Sequence, residues 1–321
     1  MSEAENPDLL TVGLAQIAPI WLDRARTLEK IIAYTDQAAA RGCQLVAFGE
    51  TLLPGYPYWV ERTDGARFNS PVQKDIHAHY LDQAVDIDAG HLAPLQARAL
   101  QHAMTVMVGC AERAADRGGH SVYCSLVRIG PDGAVQNVHR KLMPTYEERL
   151  TWAPGDGHGL KAQPIGRFTL GGLNCWENWM PLSRAALYAQ GEDLHVAVWP
   201  GGLHNTHDTT RFIAKEMRGY VLAVSGVMRP GDVPADMLHR DLMVRGESPL
   251  WSNGGSAIAA PDGSWVVEPL VGEEGLLVAT LDHREVRRER QNFDPAGHYA
   301  RPDVTRLTVD RRRQALASFE D

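Results

Sequence analysis

The triplet Pro-Asp-Gly stands at 131–133 and again at 261–263, each time between two short runs suited to strands. A proline that presets φ, followed by an aspartate and a glycine that tolerates positive φ, makes a tight turn, so each copy closes a hairpin. What precedes the two hairpins is also repeated. In the first half, strand Leu9–Ile17 leads to a helix at Arg24–Arg41, in which Leu28, Ile31, Ile32, Ala38 and Ala39 recur at helical spacing before Gly42 ends it. Strand Leu45–Phe48, helix Ala93–Ala103 and strands Met104–Gly109, Ser121–Ile129 and Ala134–His139 complete that half. The second runs through strand Phe168–Asn174, helix Leu182–Gln190 stopped by Gly191, strand Leu194–Trp199 and helix Thr206–Arg218. Strands Tyr220–Ser225, Ser256–Ala260 and Ser264–Glu268 follow.

The turns lie 130 residues apart, a spacing that argues for two similar α/β halves and against a short-period solenoid. The strands read as continuous apolar runs, the pattern of sheets covered on both faces. Two halves that each bury one sheet face against helices can bury the other faces against each other. The predicted fold is therefore a four-layer αββα sandwich in a single domain over 1–321, with approximate halves 9–139 and 168–281 and a C-terminal segment 282–321. The segments Pro54–Gly90 and Val227–Gly254 exceed the ~12–15 residues of an ordinary structureless loop and are expected to form pocket walls or subunit contacts.

Charge narrows the partners. With 32 Lys+Arg against 40 Asp+Glu and no basic block, neither a nucleic acid nor an anionic membrane is expected as a partner. The run Arg287-Arg288-Glu289-Arg290 is mixed in sign and suits a solvated helix face. No stretch reaches the ~18 apolar residues of a membrane span, and the acidic start Met1–Asp8 lacks the basic opening of a signal peptide, so a cytoplasmic location is expected. Four cysteines, Cys43, Cys110, Cys124 and Cys175, without a Cys-x-x-Cys pair suggest neither a disulfide framework nor a thiolate zinc site. One thiol can then be present for its reactivity.

In α/β sheets functional groups gather beyond the C-terminal ends of strands. Glu50 follows Leu45–Phe48 through Gly49, Lys141 follows the strand ending near His139, and Cys175 follows Phe168–Asn174. Singly these read as a loop carboxylate, a surface lysine and an inert buried thiol. Together they offer a nucleophile whose thiolate is favoured by a nearby helix N-terminus and lysine, a carboxylate for proton transfer, and an ammonium for developing negative charge.

Three segments carry a resemblance: Phe48-Gly49-Glu50-Thr51-Leu52-Leu53-Pro54-Gly55-Tyr56-Pro57, the stretch from His139 to Arg149, and Gly172-Leu173-Asn174-Cys175-Trp176-Glu177-Asn178. They resemble the signatures of the nitrilase superfamily, and Phe293–Tyr299 with Arg301–Val304 looks like its C-terminal segment. The resemblance implies the αββα fold, with Glu50 as general base, Lys141 as stabiliser of the tetrahedral species and Cys175 as nucleophile. Glu148 would position substrate and hold the lysine, with Glu147 as its alternative. Tyr56, Trp152, Trp176 and Pro200 match positions that line the pocket. Cys-Trp-Glu and Lys-Leu-Met-Pro-Thr are closer to the nitrilase branch, so the implied reaction converts a small-molecule nitrile, through a cysteine thioimidate and an acyl-enzyme, to acid and ammonia. It implies no metal and no organic cofactor.

Relatives pair through helices near the cysteine, so a homo-oligomer built from dimers is expected, with Leu187, Tyr188, Phe212, Met217 and Tyr220 of Pro181–Gln190 and Thr206–Tyr220 as surplus apolar residues. The short tail after Val304 argues against long filaments. The chain departs from the pattern at Gly49, where proline often precedes the glutamate. Amide or cyanide hydrolysis is the nearest alternative. A metal hydrolase built on His77-Ala78-His79 or His204–Asp208, and a non-catalytic binding protein, are the readings from other classes.

Overall fold

The computed structural model describes residues 6–246, 249–315 and 317. Met1–Glu5 of the acidic start, Glu247 and Ser248 of the second long segment, and Leu316 and 318–321 of the C-terminal segment lie outside the described residues. The first part of the chain forms β1 (Leu9–Gln16), α1 (Arg24–Ala40), β2 (Leu45–Phe48), α2 (Trp59–Arg62), α3 (Pro71–Gln83), α4 (Ala93–Gln101), β3 (Thr105–Arg113), β4 (Val122–Ile129) and β5 (Val135–Arg140). Then come β6 (Gln163–Ile165), β7 (Phe168–Asn174), α5 (Pro181–Tyr188), β8 (Leu194–Trp199), α6 (Leu203–Met217), β9 (Tyr220–Ser225) and β10 (Val227–Met228). The last elements are α7 (Arg240–Met243), β11 (Ser252–Ala259), β12 (Trp265–Val271), β13 (Gly275–Asp282) and α8 (His283–Glu289).

One sheet has the order β13-β1-β2-β3-β4-β5, and the other β10-β11-β9-β8-β7-β6 with β12 on β11. Each contains three parallel strands, β1-β2-β3 or β7-β8-β9, followed by an antiparallel hairpin, β4-β5 or β11-β12. Both hairpins close at the Pro-Asp-Gly turns, where Gly133 N–H donates to Gly130 O at 2.9 Å and Gly263 N–H to Ala260 O at 2.8 Å. The predicted duplication is present with one exchange. Residues 275–281, counted with the second half, leave its sheet and with Asp282 run antiparallel to β1 from Leu9↔Asp282 to Gln16↔Gly275. That pairing satisfies the backbone of β1, which would otherwise be an open edge.

Strand periodicity sets the layers. Val46 and Phe48 face α1 and α4 in one core cluster, while Leu45 and Ala47 face Val196, Val198, Leu222 and Val224 of the other sheet. Beyond the second sheet, Ile213, Ala214 and Met217 of α6 cover Ala197, Val221 and Ala223. The four-layer sandwich is the observed architecture. Leu187, Tyr188, Met217 and Tyr220, expected as surplus for a subunit contact, are buried and serve the core; of the five, Phe212 alone is exposed.

The two long segments hold short helices and pack on each other, with Trp59, Ile76 and Tyr80 of the first against Met228, Val233 and Met243 of the second. The Arg62 guanidinium lies 4.3 Å from the Trp251 ring centroid across that seam. Arg287 and Arg288 stand on the exposed face of α8. Among the described residues no helix is long and apolar enough to cross a membrane.

Candidate active site

The two sheets converge at the C-terminal ends of β2 and β8, where Glu50 N–H donates to Trp199 O at 3.2 Å. A Cβ on Gly49 would stand 3.1 Å from Gly226 N and 3.2 Å from Trp199 O, which accounts for the glycine there. On β3 a Cβ at Gly109 would come within 2.3 Å of Gly49 O, so only glycine lets the Glu50 turn pass. Lys141 follows β5 and is fixed by its N–H on Cys124 O at 2.7 Å. Cys175 follows β7 directly, in the left-handed region at φ +46°.

Cys175 opens a 3₁₀ turn that runs to Trp179, and α5 starts only at Pro181. The element that begins at the sulfur is thus a 3₁₀ turn, and the helix N-terminus expected nearby stands six residues further on. Side chains of the turn hold the strained elbow instead. Asn178 Nδ2 donates to Cys175 O at 2.8 Å, and its Oδ1 lies 2.8 Å from His195 Nε2, whose Nδ1 is 2.8 Å from Glu192 Oε1. Glu177 ties the lysine and cysteine segments together by accepting from Leu142 N at 2.7 Å and Asn174 N at 2.9 Å, with His139 Nε2 at 3.0 Å. These supports were not singled out from sequence, although Glu177 and Asn178 stand in the Cys-Trp-Glu-Asn signature.

Four buried groups meet. Lys141 Nζ lies 3.0 Å from Glu50 Oε1 and 2.7 Å from Glu148 Oε2. Ligand atoms of Glu50, Glu148 and Cys175 lie within 4.8 Å of one another. Glu148 is fixed further by Tyr56 Oη donating to Oε1 at 2.8 Å and Thr145 N–H to Oε2 at 2.6 Å. Glu147, the alternative, is only half-buried and joins none of these contacts.

Burial pushes the Glu50 carboxyl up to about 7, against the pull of Lys141 and with the push of Glu148. Burial and the Glu50 charge raise the Cys175 thiol well above its ordinary value, with Lys141 opposing. The expectation of a thiolate favoured at rest is therefore corrected: the site holds a thiol beside a carboxylate that can take its proton. Although burial works against the Lys141 charge, the Glu50 and Glu148 carboxylates outweigh it and keep the ammonium above the usual lysine range.

The sulfur opens on a chamber of about 160 Å³, with Tyr56, Trp176 and Pro200 among its lining. Thr145, Glu147 and Asn205, not anticipated as lining, add polar walls. Trp152 does not line it. Its ring stands behind the tetrad, 5.6 Å from Lys141 Nζ and edge-on to Tyr56, while its Nε1 donates to Tyr80 Oη at 3.1 Å. Glu147 also borders a wider outer cavity of about 790 Å³ with Val60, Glu61, Tyr146 and Leu150.

Glu50, Glu148 and Cys175 are the group among the described residues whose spacing could hold a metal ion, and it contains no histidine. The Lys141 ammonium already supplies positive charge between its two carboxylates. His79 is instead engaged with Leu22 O at 2.9 Å and His207 with Asp208 at 2.9 Å.

The carbon-nitrogen hydrolase family matches this sequence over residues 11–291. Over 317 residues the chain is 36% identical to "Nitrilase 2" of an unknown prokaryotic organism, covering 97% of this chain and 96% of that protein. The "Nitrilase" of Pseudomonas syringae pv. syringae (strain B728a) is 37% identical over 313 residues, covering 93% and 89%. A solved CN-hydrolase superfamily protein of Xanthomonas campestris superposes with a TM-score of 0.69 at 18% identity, over 94% of this chain and 99% of that one, a likeness of fold.

Proposed function

Because the chain belongs to the carbon-nitrogen hydrolase family, we propose that it is a nitrilase, which hydrolyses small organic nitriles to carboxylic acid and ammonia through Cys175. The observation that carries this reading is the buried Lys141 ammonium held between Glu50 and Glu148, whose carboxylate atoms lie within 4.8 Å of the Cys175 sulfur. Glu50 takes the thiol proton as sulfur attacks the nitrile carbon, and the nitrogen is protonated to give a thioimidate. Glu50 then takes a proton from water. Addition of that water gives a tetrahedral species stabilised by Lys141, and its collapse expels ammonia. A second water cleaves the thioester, releasing the acid and restoring the thiol. Glu148 holds Lys141, and Tyr56 holds Glu148.

The relatives named nitrilase, matched over nearly their whole length, support nitriles over amides, and the small chamber supports short substrates. An ammonia-release screen over aliphatic, aromatic and arylacetic nitriles with their matching amides tests this. Short aliphatic nitriles should give the highest kcat/KM, and it should rise with pH through about 7 as Glu50 ionises. Turnover of amides alone would reassign the enzyme to amide hydrolysis.

The functional unit in this reading is a dimer. Trp179, Met180 and Leu182 before and within α5 are exposed, as is Phe212 on α6, and the Arg184 guanidinium of α5 lies 5.7 Å from the Phe212 ring. Large apolar side chains left exposed on these two elements favour pairing. Light scattering should report at least a dimer, and Phe212→Glu should shift it toward monomer; a wild-type monomer at working concentration would overturn the claim.

A further inference from the structure

We propose that Cys124 is a positioning residue for Glu50: its thiol, oriented by the Thr51 hydroxyl, occupies one carboxylate oxygen and leaves the other to exchange protons with Cys175 and water. This rests on the reading of Glu50 as the base.

Cys124 lies on β4, buried, with Sγ 3.4 Å from Glu50 Oε1 and 3.3 Å from Thr51 Oγ1. An ionised carboxylate can only accept, so the S–H points to Glu50 and the sulfur lone pairs receive the Thr51 O–H. With Glu50 ionised, the direction Thr51→Cys124→Glu50 therefore follows. The backbone carbonyl of Cys124 accepts Lys141 N–H at 2.7 Å, so one residue locates both the base and the lysine. Burial and the Glu50 charge hold the Cys124 thiol protonated, which keeps it a donor throughout the working pH range.

The two oxygens of Glu50 are consequently unequal. Oε1 receives both Lys141 Nζ and the thiol, whereas Oε2 is buried without a hydrogen-bond partner. A buried orphan acceptor calls for an explanation, and an oxygen reserved for the travelling proton supplies one. The other titratable groups facing Glu50 are Lys141, Glu148, Cys175, Tyr56 and Tyr58. Tyr56 donates to Glu148, and Tyr58 pairs with Ser252, so neither hydroxyl takes the free oxygen.

The test is kcat/KM against pH for the wild type, Cys124→Ala and Cys124→Ser, on whichever nitrile or amide of the screen is turned over fastest. Losing a donor to a carboxylate raises that carboxyl's pKa, so in Cys124→Ala the acid limb should move about one unit higher, a loss of roughly tenfold on the acid side. KM should change little. Cys124→Ser keeps a donor and should hold the limb at or below the wild-type position. A role in packing alone would move stability and leave the limb in place. An unmoved limb in Cys124→Ala, or the same shift in both variants, overturns the proposal. Should Cys124→Ala fail to fold, Thr51→Val decides: a smaller shift in the same direction supports the relay and an unmoved limb overturns it. Glu50→Gln is the separate control, because activity with an intact acid limb there would overturn the assignment of the base itself.

Discussion

Cys175→Ala should give a folded protein that releases no measurable ammonia from any nitrile or amide, a fall on the scale of about 10⁶-fold seen when a covalent nucleophile is removed. The fold should persist because the change removes one sulfur from a packed site and leaves the backbone contacts of the elbow intact, including Asn178 on Cys175 O. Alanine also meets the left-handed φ of +46° with a steric penalty close to that of cysteine. Intact-protein mass spectrometry of the native enzyme with slow substrate should show a thioimidate or acyl adduct, mapped to Cys175. Near-native turnover in the alanine variant, or an adduct on Cys43, Cys110 or Cys124, would sink the assignment. Those three thiols are buried, and none of them lines the chamber on which Cys175 opens, so none should compete.

Strand ends are what make the candidate site legible in the sequence. Glu50 and Cys175 each follow an apolar run that is a largely buried strand, β2 or β7, whereas Lys141 follows β5, whose Val-Gln-Asn-Val-His-Arg sequence is mixed and mostly half-buried. The strands were legible for the same reason: Leu194–Trp199 and Tyr220–Ser225 are buried on both faces, so their sequences contain almost nothing but apolar residues. The exchange of β13 was not legible, because its partner β1 lies some 270 positions away and nothing local marks that register. Tertiary placement also decided the misjudged residues. Trp152 has the composition of a pocket wall, yet the Tyr80 hydroxyl draws its indole N–H to the back of the tetrad. The thiolate expected at Cys175 failed for a related reason, since a sequence motif displays the lysine but not the burial and paired carboxylates that surround the sulfur.

Glu177 and Asn178 illustrate how geometry is imposed on the nucleophile. A left-handed cysteine is not a conformation its own side chain prefers, so the elbow depends on buried polar partners from β5 and β8. His139, Glu177, Asn178, His195 and Glu192 are all buried, and together they join the strands that deliver Lys141 and Cys175. The network's role is positional, since none of these five lines the chamber at the sulfur.

Lys141→Met should lower both activity and stability, and the two losses have separable causes. The ammonium is the positive charge within 3.0 Å of the Glu50 carboxylate and 2.7 Å of Glu148. Methionine keeps much of the stem and packs well, but it leaves two buried carboxyls facing each other without a cation. Removing one member of a buried ionic group destabilises by about 3–5 kcal/mol. Lys141 also holds the Glu50 pKa down, so its loss leaves Glu50 protonated at neutral pH and unable to take the thiol proton. To that is added the loss of a transition-state donor, roughly 10²–10³-fold in kcat. The acid limb of kcat/KM should move upward. Adding Glu148→Gln to Lys141→Met removes the second buried charge and should recover part of the stability while recovering little of the rate, because the donor to the tetrahedral species is still missing. Chemical denaturation and steady-state kinetics on the single and double variants read the two effects independently. Full recovery of activity in the double variant would mean that Lys141 serves only to neutralise its carboxylates, and near-native kcat in Lys141→Met would remove it from the mechanism altogether.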